Sequence, residues 1–293
     1  MVYTFIQTLT GEYPLKRVCQ LLGVSRSSYY EFACGNTFKI TEGRGKLTAQ
    51  VTKVFAVNRK RYGSRRVMEE LKKKGVKIGR YLTRSILREQ NLVAIQPKSF
   101  VPKTTNSNHH LGYSPNVLGY WGKPVDMGEV YVGDITYLPT AGGDWLYLMT
   151  WMDLWSRSIV GWKIADHMEE SLVIEATQRA FDKRRPLAGL IIHSDRGGQF
   201  ASAQFRAVLA RYKCIQSMSN ADNPYDNAYA ESFFGRFKTE LLQKGAFQNI
   251  EEANIEVFDY IEMYYNTHRL HSSLGYKSPL EFEQGTHHQQ RTL

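Results

Sequence analysis

Three β-branched and aromatic runs crowd the second half of the chain: "EVYVGDITYL" (129–138), "DWLYLMTWMDL" (144–154) and "SIVGWKIADH" (158–167). Short turns separate them, so the pattern predicts three consecutive antiparallel strands. A helical pattern follows over 171–184, then a strand over 187–193 ("LAGLIIH"), a second helix over 202–213 and a short strand over 214–219. The order β-β-β-α-β-α-β, continued by helices, predicts an α/β architecture in which a mixed sheet carries helices on its faces.

The 293 residues leave room for a further domain, and charge shows where it lies. Residues 1–125 hold 22 Lys and Arg against 6 Asp and Glu, a net +16. Residues 126–293 hold 16 against 22, a net −6, and the two halves make up the +10 of the whole chain. A basic half of this strength points to a polyanionic partner, with nucleic acid foremost. The first fifteen residues lack a basic start followed by an apolar core, and the richest apolar stretch is short and broken by Asp153. A soluble, cytoplasmic protein without a membrane partner is therefore expected. Cys19, Cys34 and Cys214 are widely spaced and form no C-x-x-C pair, which argues against a disulfide framework and against cysteine-held zinc.

Within the basic half, "YPLKRVCQLLGVSRSSYYEF" (13–32) places Val18, Leu21 and Leu22 at helical spacing before a Gly-Val-Ser turn. Ser25 can cap a second helix that would offer Arg26 to a DNA groove, a helix-turn-helix pattern. A second helical hairpin is expected over 62–92, where Val67, Leu71 and Val76 face Leu82, Ile86 and Leu87 across the Gly75 turn. Its outer faces carry Arg65, Arg66, Arg80 and Arg84 among other cations, so the tandem hairpins read as an all-α DNA-binding arm. Domain boundaries are expected at 1–46 for the first hairpin with its linker, 47–93 for the second, 94–125 for a proline-containing linker, 126–285 for the mixed-sheet core and 286–293 for a tail.

Asp134 falls in the middle of the first apolar strand, where an uncompensated charge is costly. Asp195, in "HSDRGGQF" (193–200), lies just past the fourth strand. If those strands are neighbours, the two carboxylates converge. In "DNPYDNAYAESFFGRFKTELL" (222–242), Ala230, Phe233, Phe237 and Leu241 form an apolar helical stripe with Glu231 beside it, able to face the sheet edge. Three converging acids without an evident basic partner would repel one another, and oxygen-only ligands suit Mg²⁺ or Mn²⁺ as the remedy.

These segments resemble a known family. Asp134, Asp195 and Glu231, with 35 residues between the last two, are similar to the D,D,E triad of transposases and retroviral integrases. "GDITYL", "HSDRGGQF", "DNAYAESFFGRFKTE" and the closing "YNTHRLHSSLGYKSPLEF" (265–282) resemble the second-frame product of insertion sequences of the insertion-sequence-three family across nearly the whole chain. The resemblance implies a ribonuclease H-like integrase core, preceded by helix-turn-helix segments. It implies three carboxylates that are both catalytic and metal ligands for two Mg²⁺ or Mn²⁺ ions, and a DNA transposase that cleaves element ends and transfers 3′-hydroxyls to new phosphodiesters. Its partners would be the terminal inverted repeats and target DNA, a second copy of itself on DNA, and the upstream-frame product as a fusion or partner. The tryptophan often found three residues before the first Asp is Tyr131 here, and the zinc-binding His and Cys pairs of retroviral integrases are absent.

Lys238 is seven residues after Glu231, about two helical turns on, and faces the same side; in related enzymes a basic residue there contacts the element end. Asn227, one turn before Glu231, stands where it can orient the acid or touch phosphate. Gly197 and Gly198 would let DNA backbone approach Asp195. His268 and His271 lack zinc-like companions. His193 reads as a packing or hydrogen-bonding residue. Two other functions share these features: a metal nuclease of the same fold that does not join strands, and a repressor with a decayed active site. Residues 1–125 alone should bind duplex DNA with an affinity that falls steeply as salt rises, through counterion release; titrations at several salt concentrations check this, and an affinity insensitive to salt would contradict it.

Overall fold

The computed structural model describes residues 2–35, 42–96, 112–220, 228–242 and 245–290. They form two compact units, Met1–Ala94 and Ile95–Leu293.

The first unit is all helix. Helices α1 (Val2–Leu9), α2 (Leu15–Leu21) and α3 (Arg26–Ala33) close around Ile6, Val18, Cys19 and Tyr29. Ser25 caps α3 as expected, its Oγ accepting the Ser28 N–H at 3.0 Å. The apolar spacing is only partly used, because Leu21 is 81 % exposed. Ile6, on a helix the sequence pattern did not reveal, fills the core instead. Helices α4 (Glu42–Val57), α5 (Ser64–Lys73) and α6 (Arg80–Glu89) touch one another pairwise. They bury Val51, Val54 and Phe55 with Val67, Leu71, Ile86 and Leu87. The expected hairpin is thus completed by α4, which begins inside the stretch read as a linker, and Arg44 of α4 pairs with Glu89 of α6 at 2.6 Å. Gly75 turns the chain after α5 with φ +76°, a conformation that favours glycine.

The second unit is built on a five-stranded sheet, β1 (Val130–Pro139), β2 (Trp145–Asp153), β3 (Ile159–Ala165), β4 (Ile191–Ser194) and β5 (Ile215–Met218), in the order β3-β2-β1-β4-β5. Strands β1, β2 and β3 are antiparallel neighbours, while β4 runs parallel to β1 and β5 parallel to β4. Strand β4 is shorter than the apolar run suggested. Helix α7 (Leu118–Trp121) precedes the sheet; α8 (Glu170–Arg184), α9 (Gly198–Ala201) and α10 (Ala203–Arg211) join its later strands. Helices α11 (Ala228–Leu241), α12 (Ile250–Phe258), a π-helical turn at Asp259–Tyr265 and α13 (Pro279–Gln290) complete the chain.

Strand periodicity sorts the core into two layers. Tyr131, Trp151 and Ile192 pack with Val173, Ala176 and Phe205 of α8 and α10. Val130, Val132, Leu148 and Ile191 pack on the opposite face with Phe233, Phe237, Val257 and Tyr260. The end of the proline-containing stretch is fastened to β5: the Val117 and Leu118 N–H groups donate to Ser217 Oγ at 2.9 and 3.1 Å. The three thiols are free, and no helix among the described residues is long and apolar enough to cross a membrane.

Gly161 of β3 lets α8 lie against the sheet, since a Cβ there would stand 2.5 Å from the Ala176 carbonyl oxygen and 2.7 Å from Ala180 Cβ. Gly161→Ala should therefore cost about 1–3 kcal/mol by overpacking. A thermal melt reports it as a loss of several degrees; an unchanged melting temperature would show that α8 gives way freely.

Candidate active site

The site is assembled by the parallel ladder between β1 and β4, in which Val132 pairs with His193. Two residues further along β1 comes Asp134, which the period of two sends to the face covered by α11, and Asp195 follows directly after the end of β4, near enough for its charge to act on Asp134. Asp134 Oδ1 accepts the following N–H, that of Ile135, at 2.8 Å, and Asp195 Oδ1 accepts the Gly197 N–H at 3.0 Å. A Cβ at Gly197 would stand 3.2 Å from that Asp195 oxygen, so bare backbone leaves the carboxylate room. His193 is fully buried, with Nδ1 2.9 Å from Ser217 Oγ and Nε2 3.2 Å from Ser219 Oγ, and it braces β4 against β5.

Helix α11 brings the third acid. Its apolar stripe of Ala230, Phe233 and Phe237 is buried against the sheet, while Glu231 is exposed beside it. Asp134 keeps partial solvent access, yet its carboxyl is pushed well above the usual carboxylate range, first by burial and then by the charges of Asp195 and Glu231. Asp134 therefore feels both other acids. Lys238, half-buried two turns along α11, lies close enough to act on Asp134: burial pulls its ammonium pKa down and the Asp134 charge opposes that. Its nearness corrects the expectation that the acids lack a basic neighbour. Among the described residues no three His, Cys, Asp or Glu side chains form a ready-made metal cluster, so the acids adjoin without closing into a cage.

Sequence reasoning missed what holds α11 in place. Glu240 and Arg269 are buried together, with Arg269 Nε and Nη2 donating to the two Glu240 carboxylate oxygens at 3.0 and 2.7 Å and the Tyr260 hydroxyl donating at 2.9 Å. The signal was present: Glu240 falls three residues after Phe237, on the stripe that faces inward. Among the proposed DNA contacts, Arg26, Arg65, Arg80 and Arg84 are exposed on the helical unit. Arg66 is half-buried, its guanidinium 5.7 Å from the Tyr62 ring centre. Asn227 lies outside the described residues.

Residues 125–224 and 212–279 match models of the integrase core domain, and residues 43–100 match an HTH-like domain. The sheet order, the flanking helices and these matches define an integrase-core polynucleotidyl transferase with a helix-turn-helix arm. The "Insertion element IS600 uncharacterized 31 kDa protein" of Shigella sonnei is 37 % identical over 270 residues, 92 % of this chain and 98 % of that protein. The "Transposase InsF for insertion sequence IS3A" of Escherichia coli strain K12 is 36 % identical over 286 residues, 97 % of this chain and 98 % of that one. The chain belongs to this insertion-sequence-three family of transposases. Among solved structures, the magnesium-bound catalytic core domain of HTLV-2 integrase, in its trimeric form, aligns with 54 % of this chain and 98 % of its own at a TM-score of 0.43 and 17 % identity.

Breaking the buried pair with Arg269→Met should cost about 3–5 kcal/mol, because it strands the Glu240 charge, while the double change Glu240→Met with Arg269→Met should recover most of the loss. Chemical denaturation of the three proteins checks this; a double variant as unstable as the single one would contradict it.

Proposed function

We propose that the chain cuts DNA at the ends of its insertion element and joins the freed 3′-hydroxyls to target phosphodiesters. The observation that carries this reading is the juxtaposition of Asp134, Asp195 and Glu231 on one face of the sheet, where they raise the Asp134 carboxyl together with burial. Hard oxygen donors whose charges oppose one another suit Mg²⁺ or Mn²⁺ rather than zinc. In this reading Asp134, Asp195 and Glu231 would hold two divalent ions. When bound, such a pair activates the attacking oxygen on one side of an in-line displacement and stabilises the leaving oxygen on the other.

The remaining steps belong to side chains. Asp134 would hold the ions from β1 and Asp195 from the end of β4, and Glu231 would close the constellation from α11. Lys238 contacts a phosphate of the element end, where its partly buried ammonium meets less competition from water. Asn227 orients Glu231 or touches phosphate, and Gly197 admits the DNA backbone beside Asp195. Arg26, Arg65, Arg66, Arg80 and Arg84 hold flanking duplex, mostly through phosphates. Cleavage and joining use the same displacement with water or a 3′-hydroxyl as nucleophile. We assign these roles to a helical arm over 1–46 and 47–93, a connecting stretch over 94–125 and a catalytic core over 126–285, acting as an oligomer of this chain, alone or fused to the upstream product, on the inverted repeats.

The raised Asp134 carboxyl makes the metal-free fold lose stability as pH climbs above about 3.9, because the folded state holds the proton more tightly than the unfolded chain does. Asp134→Asn should abolish that loss, so stability without metal is kept or raised at neutral pH. The melting-temperature rise on adding Mg²⁺ should shrink, and strand cleavage and joining should fall by at least about a thousandfold. Asp195→Asn and Glu231→Gln should lower cleavage and joining alike, while the part of the pH effect that burial of Asp134 causes should persist in both. Cleavage and joining by all three variants near the wild-type rate would sink the proposal.

A further inference from the structure

The turn between β2 and β3 carries a feature that its own geometry does not ask for. Asp153 builds the turn: its Oδ1 accepts the Trp155 and Ser156 N–H groups at 3.0 and 2.8 Å, and its Oδ2 accepts the Gly128 N–H at 2.7 Å. The Arg157 N–H donates to the Asp153 carbonyl at 2.9 Å, and the Asp153 N–H donates to the Ser158 carbonyl at 2.9 Å, which closes the loop. That closure forces Arg157 to φ +63°, a left-handed conformation that glycine adopts freely and a side chain with a Cβ does not. From that position the Arg157 side chain reaches α11. Its guanidinium lies 4.2 Å from the centre of the Tyr229 ring, within cation–π range. Tyr229 is in the first turn of α11, two residues before Glu231.

We propose that Arg157 is a positioning residue: by seating Tyr229 it fixes the first turn of α11 on the β2–β3 hairpin, and so fixes where Glu231 presents its carboxylate to Asp134 and Asp195. This rests on the reading of Glu231 as the third acid. Helix α11 is then held at both ends. Glu240 and Arg269 secure its last turn, and Arg157 secures the turn that carries the acid. In the first turn the buried stripe contributes just the small side chain of Ala230, whereas Tyr229 is 40 % exposed and Glu231 is exposed, so the Arg157 contact adds a second hold there.

The test compares the full-length chain with Arg157→Gly, Arg157→Lys, Tyr229→Phe and Tyr229→Leu, using a duplex that carries the element's own end, with Glu231→Gln beside them. Arg157→Gly relaxes the backbone, so its melting temperature should be kept or raised while the joining rate falls about ten- to a hundredfold. The Mn²⁺ concentration needed for half of the metal-induced rise in melting temperature should increase severalfold. Tyr229→Phe keeps the ring face and should retain the wild-type rate, and Arg157→Lys should keep part of it. Tyr229→Leu should match Arg157→Gly, and combining the two should add no further loss. An unaltered joining rate in Arg157→Gly overturns the proposal. So does a loss of joining that only tracks a loss of fold, which would make Arg157 a folding residue, or a loss that tracks weaker end binding with a shallower salt dependence, which would make it a DNA contact. Wild-type joining by Glu231→Gln would instead overturn the three-acid reading itself, and the role of Arg157 with it.

Discussion

Everything the catalytic unit can do depends on the parallel pairing of β1 with β4. The antiparallel meander of β1, β2 and β3 by itself would hold Asp134 without Asp195. The crossover through α8 returns the chain beside β1 in the same direction, with Val132 opposite His193. Because side chains alternate along a strand, that register puts Asp134 on the face covered by α11 while β4 ends with Asp195 beside it. The bare backbone of Gly161 is part of the same arrangement, since it lets α8 cross close to the sheet.

Bringing like charges together opposes folding, and the structure shows how the opposition is contained. Asp134 sits half-buried in β1, and its raised carboxyl records both the burial and its neighbours. Lys238 offsets part of the repulsion but is itself partly desolvated, so it does not neutralise the site. Such a balance suits a cation, which supplies the opposite charge that the acids lack.

Helix α11 has to supply an exposed acid to that site while sharing its other face with the core. Its Phe233 and Phe237 provide the adhesion. The Glu240–Arg269 pair adds direction, since a bidentate buried salt bridge has one good geometry where apolar contacts tolerate sliding. It also explains the closing motif, whose Arg269 works from inside the fold and reaches α11 across the core.

Local pattern alone determined much of this protein. The β-branched runs announced the strands, Ser25 announced the start of its helix, and the split of charge separated a basic helical arm from an acidic α/β core. The spacing of Asp134, Asp195 and Glu231, with the motifs around them, named the family. These are properties of neighbouring residues, or of short patterns, and need no partner to be read. What remained illegible depended on contacts between distant segments. Helix α4 has weak periodicity and α1 is amphipathic but only eight residues long, so packing revealed them. The burial of Glu240 with Arg269, the approach of Lys238 to Asp134 and the seat of Tyr229 on Arg157 each join residues from separate elements. A charge meets its partner only after β4 has paired with β1 and α11 has settled on the sheet, and for that reason the tertiary structure alone decided them.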